Sequence, residues 1–210
     1  MEKLMPIETI YLIGSGGHSL VVIDSLLETG VEEEAIVVFD HNPERVGHKI
    51  YGLTVRAFDM AQLFGSNVHL CIGDNNTRAS LAKTLIKLGC TFYSIIHPRA
   101  IISKSATIGA GSFVAPGAII EAQVVIGKNC IINHGAIIDH QCIISDFVHI
   151  APGTTLAGSV KVGQNSFIGA GANILPGIVI TTDVIVGAGA VLLRDATEHG
   201  TYVGIPARKN

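Results

Sequence analysis

The sequence is short of charge and of aromatic side chains: charged residues make up 15%, aromatic residues 5%, and tryptophan is absent. A formal net charge of −3 gives no electrostatic basis for binding nucleic acid or an anionic membrane surface. No aliphatic run approaches the ~18 residues that a membrane-spanning helix needs, and the first residues (MEKLMPIET) lack the pattern of a signal peptide. The sequence therefore predicts a cytoplasmic protein with no nucleic-acid partner and no membrane insertion.

Cysteine is also scarce, and its spacing is not that of a metal site. The four cysteines are Cys71, Cys90, Cys130 and Cys142, and no two of them form a CxxC pair. We interpret them as small apolar side chains of a reducing compartment, and we predict no metal.

Aliphatic residues, by contrast, recur at every sixth position from Ile102 to Leu192. The sixteen positions of this repeat, each occupied by Ile, Val or Leu, are Ile102, Ile108, Val114, Ile120, Ile126, Ile132, Ile138, Ile144, Ile150, Leu156, Val162, Ile168, Ile174, Ile180, Val186 and Leu192. Pro-Gly follows them three times, at 116–117, 152–153 and 176–177, and suits a type II turn. A period of six fits a parallel β-helix, in which each hexad supplies one short strand and one turn.

The first 97 residues show a different pattern, in which apolar strands alternate with helices. Strands are predicted at 9–14, 35–39, 68–72 and 91–96, with helices from about 18 to 30 and from about 76 to 88. This alternation predicts a Rossmann-like α/β domain with a parallel sheet at 1–97. The hexads predict a β-helix domain at 98–210, whose last residues leave the repeat and are expected to cap its open end.

Three features lie where predicted strands end, which is where ligands bind in parallel α/β domains. They are the glycine loop 14–18, Asp40 and the loop after Gly73. A glycine loop that leads into a helix can hold phosphate through backbone N–H groups, but Ser19 replaces the third glycine of the dinucleotide fingerprint. A tight turn without a ligand and the nicotinamide site of an oxidoreductase are the alternatives.

Three histidines lie within the hexads at positions that should face outward. His134 and His140 occupy the turn position where other hexads have proline, and His149 directly precedes the inward Ile150. Imidazole titrates near neutral pH and is therefore suited to general base catalysis. The alternative is that these are solvated surface histidines without a role.

Seven stretches spread over both predicted domains carry a family resemblance: IYLIGSGGHS, VVFD, CIGDNNTR, IIHPRAIIS, IIDHQCIIS, FVHIAPGTTLAGSVKVG and YVGIPARK. Together they resemble the bacterial nucleotide-sugar acetyltransferases of the hexapeptide-repeat superfamily. This group includes N-acetyltransferases for UDP- or GDP-linked 4-amino sugars, such as GDP-perosamine, and sialic acid O-acetyltransferases. The resemblance implies a left-handed β-helix with three hexads per coil, a homotrimer with the active site between adjacent chains, and acetyl-CoA as co-substrate without a metal.

The resemblance also implies roles for individual residues. His140 is implied to be the general base, with Gln141 beside it, and His149 to lie beside the acetyl thioester. The residues implied to line the acetyl-CoA groove are Gly158, Ala170 and Ala188. Those implied to bind the nucleotide sugar are Gly16, Gly17, His18, Asp40, His41 and Gly73.

The predicted function is therefore transfer of an acetyl group from acetyl-CoA to the 4-amino group of a nucleotide-linked sugar. The amine attacks the thioester carbonyl directly, so no covalent enzyme intermediate is needed. Relatives usually carry Glu or Asp directly after the base, where this chain has Gln141, which can hold a tautomer but cannot stabilise imidazolium by charge. The alternatives are a sugar O-acetyltransferase of the sialic acid type and a non-catalytic trimeric β-helix scaffold.

Overall fold

The computed structural model describes residues 9–210, so the first eight residues, for which we predict no signal peptide, lie outside the described part. The chain forms an α/β unit followed by a parallel β-helix. The elements of the α/β unit are β1 Ile10–Ile13, α1 Gly17–Glu28, β2 Ile36–Asp40, β3 Lys49–Ile50, β4 Leu53–Thr54, β5 Arg56–Ala57, β6 Asn67–Leu70, α2 Asn75–Lys87 and β7 Thr91–Phe92, with short 3-10 helices at Glu33–Ala35, Pro43–Arg45 and Met60–Leu63.

Five strands of the α/β unit form one parallel sheet in the order β5-β2-β1-β6-β7. This order confirms the predicted parallel α/β architecture. Because β1 lies between β2 and β6, the carboxyl ends of these three strands are adjacent, at the switch point where such sheets bind ligands. β3 and β4 form a separate antiparallel hairpin, for which we had no prediction.

The single strand predicted at 91–96 is wrong. β7 (Thr91–Phe92) pairs with β6 in the α/β sheet, whereas β8 (Ile95–Ile96) pairs with a strand of the β-helix. Between them, Ser94 donates its hydroxyl to the carbonyl of Gly109 at 3.2 Å. The two halves of this apolar run belong to different sheets because the chain passes from the α/β unit to the β-helix in the middle of the run. The domain boundary after residue 97 stays a prediction.

The β-helix has three faces, each a stack of short strands that are parallel except for the last one of the first face. The first face contains β8 Ile95–Ile96, β11 Phe113–Val114, β14 Ile131–Ile132, β17 His149–Ile150, β20 Phe167–Ile168, β23 Val184–Val186, β25 Gly200–Val203 and β26 Arg208–Lys209. The second face contains β9 Ile101–Ile102, β12 Ile119–Ile120, β15 Ile137–Ile138, β18 Thr155–Leu156, β21 Asn173–Ile174 and β24 Val191–Leu192. The third face contains β10 Thr107–Ile108, β13 Val125–Ile126, β16 Ile143–Ile144, β19 Lys161–Val162 and β22 Val179–Ile180.

The register of the β-helix follows the hexads. Ile120 pairs with Ile138, eighteen residues on, which confirms three hexads per coil. The repeat aliphatics form the core of the β-helix, except that Ile102 and Ile108 are only half-buried because they belong to the first coil, at the open end. At the other end, the tail packs Tyr202 onto the same core.

Each coil also has three corners, where turns join one face to the next. The first corner, between the first and second faces, comprises 115–118, 133–136, 151–154, 169–172 and 187–190. The second corner, between the second and third faces, comprises 121–124, 139–142, 157–160 and 175–178. The third corner, which returns to the first face, comprises 109–112, 127–130, 145–148 and 163–166. Since each coil has three faces, the second corner lies opposite the first face.

The α/β unit packs on the first face. α1 contributes Val22 and Leu26 to a core that also contains Phe113 and Ile131, which point outward from the first face and are nevertheless fully buried. The second corner therefore lies on the far side of the β-helix from the α/β unit. No helix among residues 9–210 is long and apolar enough to cross a membrane. The cysteines are unpaired and buried.

Candidate active site

Three loops meet at the carboxyl end of the α/β sheet, after β1, β2 and β6. Gly14 N–H donates to the carbonyl of Phe39 at 2.8 Å, and Cys71 N–H donates to the carbonyl of Ile13 at 2.8 Å. These bonds tie the three strand ends together. The glycine loop, Asp40 and the Gly73 loop, which we predicted to bind substrate, are therefore neighbours.

Two kinds of glycine occupy these loops. Gly14 has a φ of +108°, and a Cβ there would lie 2.9 Å from the carbonyl oxygen of Cys71, so the fold itself requires glycine. At Gly16, Gly17 and Gly73 a Cβ would meet nothing within 4 Å, and none of the three has a positive φ. The fold does not require glycine at these positions. The space beside them is open, and their contact with substrate stays a prediction.

The N-terminus of α1 is also suited to an anion. No side chain among the described residues caps this helix, and no acidic residue lies in its first turn. In α2, by contrast, Asp74 accepts a hydrogen bond from Thr77 N–H at 2.7 Å and caps the helix. An uncapped helix N-terminus presents free N–H groups and a positive dipole end, which favour phosphate.

Asp40 anchors the glycine loop. Its Oδ2 accepts hydrogen bonds from the backbone N–H of Ser15 at 2.7 Å and from its hydroxyl at 2.5 Å, and its Oδ1 accepts one from Asn42 N–H at 2.8 Å. Burial acts to raise the pKa of Asp40, but these hydrogen bonds and the charge of Arg45 outweigh it and lower the pKa. Asp40 is therefore an ionised anchor of the loop, and its contact with substrate stays a prediction.

His41, the next residue, is exposed and stacks on Phe58 with a centroid distance of 3.7 Å. A cavity of about 560 Å³ opens beside it and runs along α2 past Ile72, Thr77 and Leu81. His41 thus stands at the edge of an open groove next to the three loops.

His18 lies at the junction of the two units. Its ring packs in a T-shaped arrangement with Phe113 of the first face, with centroids 5.2 Å apart. Burial lowers the pKa of His18 to about 3, with further contributions from His69, His149 and Arg78. Its Nε2 is buried with no hydrogen-bond partner in the described part of the chain. His18 is therefore neutral and lies at the interface of the two units, and its contact with substrate stays a prediction.

His149 lies on β17, beneath the α/β unit. Asn133 Nδ2 donates to its Nε2 at 3.3 Å, so Nδ1 carries the ring hydrogen, and Phe167 packs edge-on at 5.0 Å between centroids. Burial and, after it, the charge of Arg78 lower the pKa of His149 to about 4, although the backbone of Gly73 acts to raise it. Nδ1 is buried without a hydrogen bond of good geometry to any described residue. A neutral ring thus directs its Nδ1–H toward the backbone of the Gly73 loop.

A cavity of about 310 Å³ separates the Gly73 loop from the first face. Gly73 and Asn76 line it on one side, and Phe167 and Ile185 line it on the other. No group of three or more His, Cys, Asp or Glu side chains within residues 9–210 could hold a metal ion.

His140 lies exposed at the second corner, with its ring over Gly158 of the next coil. A Cβ on Gly158 would lie 2.5 Å from Cε1 and 2.6 Å from Nε2 of this ring. Nδ1 lies 3.3 Å from Oε1 of Gln141, whose Nε2 in turn donates to Oε1 of Gln123 at 3.3 Å. Because an amide oxygen only accepts, Nδ1 carries the hydrogen and Nε2 holds the free electron pair. Gln123, which was not among the predicted site residues, completes this arrangement.

The structure brings some of the predicted site residues together and separates others. His149 lies with His18 and Gly73 at the interface of the two units. The acetyl-CoA residues are divided, since Ala170 and Ala188 are exposed at the first corner while Gly158 is at the second. His140 and Gln141 share the second corner with Gly158. Within one chain, the predicted base is therefore remote from the predicted nucleotide-sugar loops.

Arg78 and Asn75 link the Gly73 loop to the third corner, and neither was predicted to matter. Arg78 Nη1 donates to the carbonyl of Gly73 at 3.2 Å, and Asn75 Nδ2 donates to the carbonyl of Ser166 at 3.0 Å. A signal was present in the sequence, because Asn75 and Arg78 share the buried face of α2 with Leu85. An arginine on the apolar face of a helix indicates a buried polar contact.

Two family models match the chain. The model described as PglD N-terminal domain matches residues 9–85. The model described as bacterial transferase hexapeptide (six repeats) matches residues 159–194. One model therefore falls in the α/β unit and the other in the β-helix.

Solved structures match the chain nearly end to end. A histidine-to-asparagine mutant of perosamine N-acetyltransferase from Caulobacter crescentus, in complex with CoA and GDP-perosamine, is 35% identical with a TM-score of 0.90, and the match covers 97% of each chain. The acetyltransferase domain of PglB from Neisseria gonorrhoeae, in complex with acetyl coenzyme A, is 32% identical with a TM-score of 0.89, and the match covers 97% of this chain and 99% of that one.

Curated relatives match over shorter segments. UDP-N-acetylbacillosamine N-acetyltransferase from Bacillus subtilis is 36% identical over 110 residues, which are 51% of this chain and 51% of the relative. A protein of Acanthamoeba polyphaga mimivirus is 33% identical over 107 residues, which are 50% of this chain and 21% of that protein. The chain thus spans about half or less of the length of these curated relatives.

Proposed function

Because the chain belongs to the nucleotide-sugar acetyltransferase family, we propose that it transfers the acetyl group of acetyl-CoA to the amino group of a nucleotide-linked amino sugar. The observation that carries this proposal is its nearly end-to-end likeness to an N-acetyltransferase that holds CoA and GDP-perosamine. N-acetyltransferases among the relatives favour an amine acceptor over the hydroxyl of the O-acetyl alternative. They likewise favour an enzyme over a scaffold or a nicotinamide oxidoreductase.

In this proposal His140 is the general base. As the amino nitrogen attacks the carbonyl carbon of the thioester, it passes a proton to His140 Nε2. Throughout this step the Nδ1–H of His140 stays hydrogen-bonded to Oε1 of Gln141. The tetrahedral intermediate then breaks its C–S bond, and the imidazolium returns the proton to the leaving thiolate. The products are the N-acetyl sugar and CoA, and no covalent enzyme intermediate forms.

His149 is proposed to face the acetyl group. The Nδ1–H of its neutral ring points toward the Gly73 backbone and can donate to the carbonyl oxygen instead, as negative charge develops there. Gly158 permits close approach of the thioester beside the base, and Ala170 and Ala188 offer a smooth groove for the rest of acetyl-CoA at the first corner.

The α/β unit is proposed to hold the nucleotide sugar. Gly16, Gly17 and Gly73 leave the space, and the uncapped N-terminus of α1 suits the diphosphate. Asp40 keeps the glycine loop in place through Ser15, and His41 stands beside the open groove. The cytoplasmic location stays a prediction.

The separation of His140 from His149 supports the proposal of a homotrimer with the site between adjacent chains. Within one chain the base lies at the corner opposite the α/β unit, so a second chain must bring a base to the nucleotide sugar. The second face also presents an apolar stripe, in which Ile101 and Ile137 are exposed, and such a stripe is suited to contact between chains.

Mixed oligomers test this arrangement. Neither His140→Ala nor Gly17→Phe is expected to be active alone, because one removes the base and the other fills the nucleotide loop. Mixed trimers of the two variants, formed by co-expression, should regain about a quarter of wild-type activity, since one site in four pairs an intact base with an intact loop. No recovery despite verified mixing would place the whole site within one chain.

A further inference from the structure

We propose that Arg78 is a positioning residue for the acetyl transfer. It fixes the Gly73 loop, where the nucleotide sugar is proposed to bind, against the part of the β-helix that carries His149. The inference rests on the proposed function, and it adds a residue outside the set predicted from the sequence. The side chain is 1% exposed and lies between the two units.

On the side of the α/β unit, the guanidinium holds both ends of the loop. Nη1 donates to the carbonyls of Ile72 at 2.9 Å and Gly73 at 3.2 Å, just where β6 gives way to the loop. Nη2 donates to Oδ1 of Asn75, in the first turn of α2, at 2.7 Å. Arg78 thus fixes the loop backbone from the strand end to the helix start.

On the side of the β-helix, the same guanidinium reaches two coils of the third corner. Nε donates to the carbonyl of Asn129 at 2.8 Å, and Nη2 donates to the carbonyl of Phe147 at 2.9 Å. Asn75 extends the contact by one coil, since its Nδ2 donates to the carbonyl of Asn165 at 3.0 Å. Phe147 is two residues from His149, so the Arg78 side chain fixes the position of the Gly73 loop relative to His149.

Only arginine suits this place. Its hydrogen-bond partners are four carbonyls and one side-chain amide, so a positive charge is buried with no carboxylate hydrogen-bonded to it, although the charge of Asp74 acts on it. Burying such a charge is costly, and an apolar side chain would fill the space more cheaply. Lysine has three donors at one point and cannot span both units. The planar fork of arginine is therefore what the junction requires.

The charge of Arg78 also acts on His149, which gives the proposal a readout besides activity. Arg78 is, after burial, the main cause of the low pKa of His149, and His18 is a titratable neighbour in the same junction. Removing the charge should therefore let His149 titrate at a higher pH. The titration thus reports on the charge of Arg78 next to His149, and kcat/KM for the nucleotide sugar reports on the position of the Gly73 loop.

The test compares Arg78→Met, Arg78→Lys and, as a matched control on the exposed face of α2, Lys83→Met. For Arg78→Met we expect kcat/KM for the nucleotide sugar to fall about 100-fold, because the loop is displaced by about 1 Å. CoA binding by calorimetry should stay within about threefold, since the groove lies elsewhere. Arg78→Lys should lose about tenfold, and Lys83→Met should remain within about twofold.

NMR titration of His149 completes the experiment, with an upward shift of about one pH unit expected in Arg78→Met and none in Lys83→Met. Unchanged kcat/KM in a folded Arg78→Met variant would overturn the proposal whatever the titration shows, as would equal losses of sugar turnover and CoA binding. Should Arg78→Met fail to fold, Asn75→Ala keeps the arginine and must lower kcat/KM about tenfold. If the wild type acetylates no amino sugar, the proposed function fails, and the His149 titration still tests Arg78.

Discussion

Gly158→Ala is expected to inactivate the enzyme without unfolding it. A Cβ at this position would lie 2.5 Å from Cε1 and 2.6 Å from Nε2 of His140, about 1 Å closer than ordinary contact. Gly158 has no positive φ, so its backbone accepts alanine, and His140 is exposed, so the ring can move away into solvent. The fold should therefore survive while the base leaves its position.

The magnitude follows from the displacement. Moving a catalytic group by about 1 Å costs on the order of 100-fold, or about 2.7 kcal/mol in activation free energy. We expect kcat/KM in a CoA-release assay to fall about 100-fold, with the melting temperature within about 3 °C of the wild type. Because the effect acts through His140, Gly158→Ala should add almost nothing in a His140→Ala background.

Two results would contradict this reasoning. Activity of Gly158→Ala within about threefold of the wild type would show that the position of the His140 ring does not limit the reaction. A full 100-fold loss that persists in the His140→Ala background would show that Gly158 acts on the thioester by itself.

Three further predictions concern Gly17, Gln141 and the buried histidines. Gly17→Ala places its methyl group in open space, so we expect an unchanged melting temperature and an approximately tenfold higher KM for the nucleotide sugar; an unchanged KM would separate the glycine loop from the ligand. Gln141→Glu should raise kcat about fivefold, because a carboxylate stabilises imidazolium and the present amide does not, whereas a lower kcat would show that the amide is required. His149 and His18 have pKa values lowered to about 4 and 3, so the unfolded chain binds protons before the folded chain does as the pH falls below about 6.5. Urea unfolding should therefore show that the free energy of unfolding falls by about 1–2 kcal/mol per histidine between pH 7.5 and 5. His149→Gln should lessen this fall, and an unchanged fall in the variant would contradict the burial of a neutral ring.

The β-helix could be predicted because its signal is local and repeated. Each hexad carries its own inward aliphatic, and the pairing of Ile120 with Ile138 follows from counting six residues at a time. The single strand predicted at 91–96 was wrong because that prediction also used only the local pattern. Periodicity identifies an apolar run, but it cannot tell that Thr91–Phe92 and Ile95–Ile96 pair in different sheets.

The candidate site could be predicted only in part, since contacts between the units leave little trace in the sequence. The hexad pattern indicated that His149 faces out of the β-helix, but not that the α/β unit covers it and keeps it neutral. The hexad count separates the columns of Ile138 and Ile150, and so His140 from His149, but it gives no sign of which side the α/β unit covers. Gln123 was missed because its partner Gln141 lies eighteen residues away. Arg78 lies on the buried face of α2, which was a signal, but its partners in the β-helix are far away in sequence.

The most direct test of the proposed function is CoA release from acetyl-CoA, measured with GDP- and UDP-linked 4-amino sugars and with their 4-hydroxy analogues, for the wild type and His140→Ala. We predict release with at least one amino sugar, one N-acetyl product per CoA, little release with the hydroxy analogue, and a loss of at least about 100-fold in His140→Ala. Release that is equal with the hydroxy analogue, or that persists in His140→Ala, would contradict N-acetyl transfer with His140 as the base.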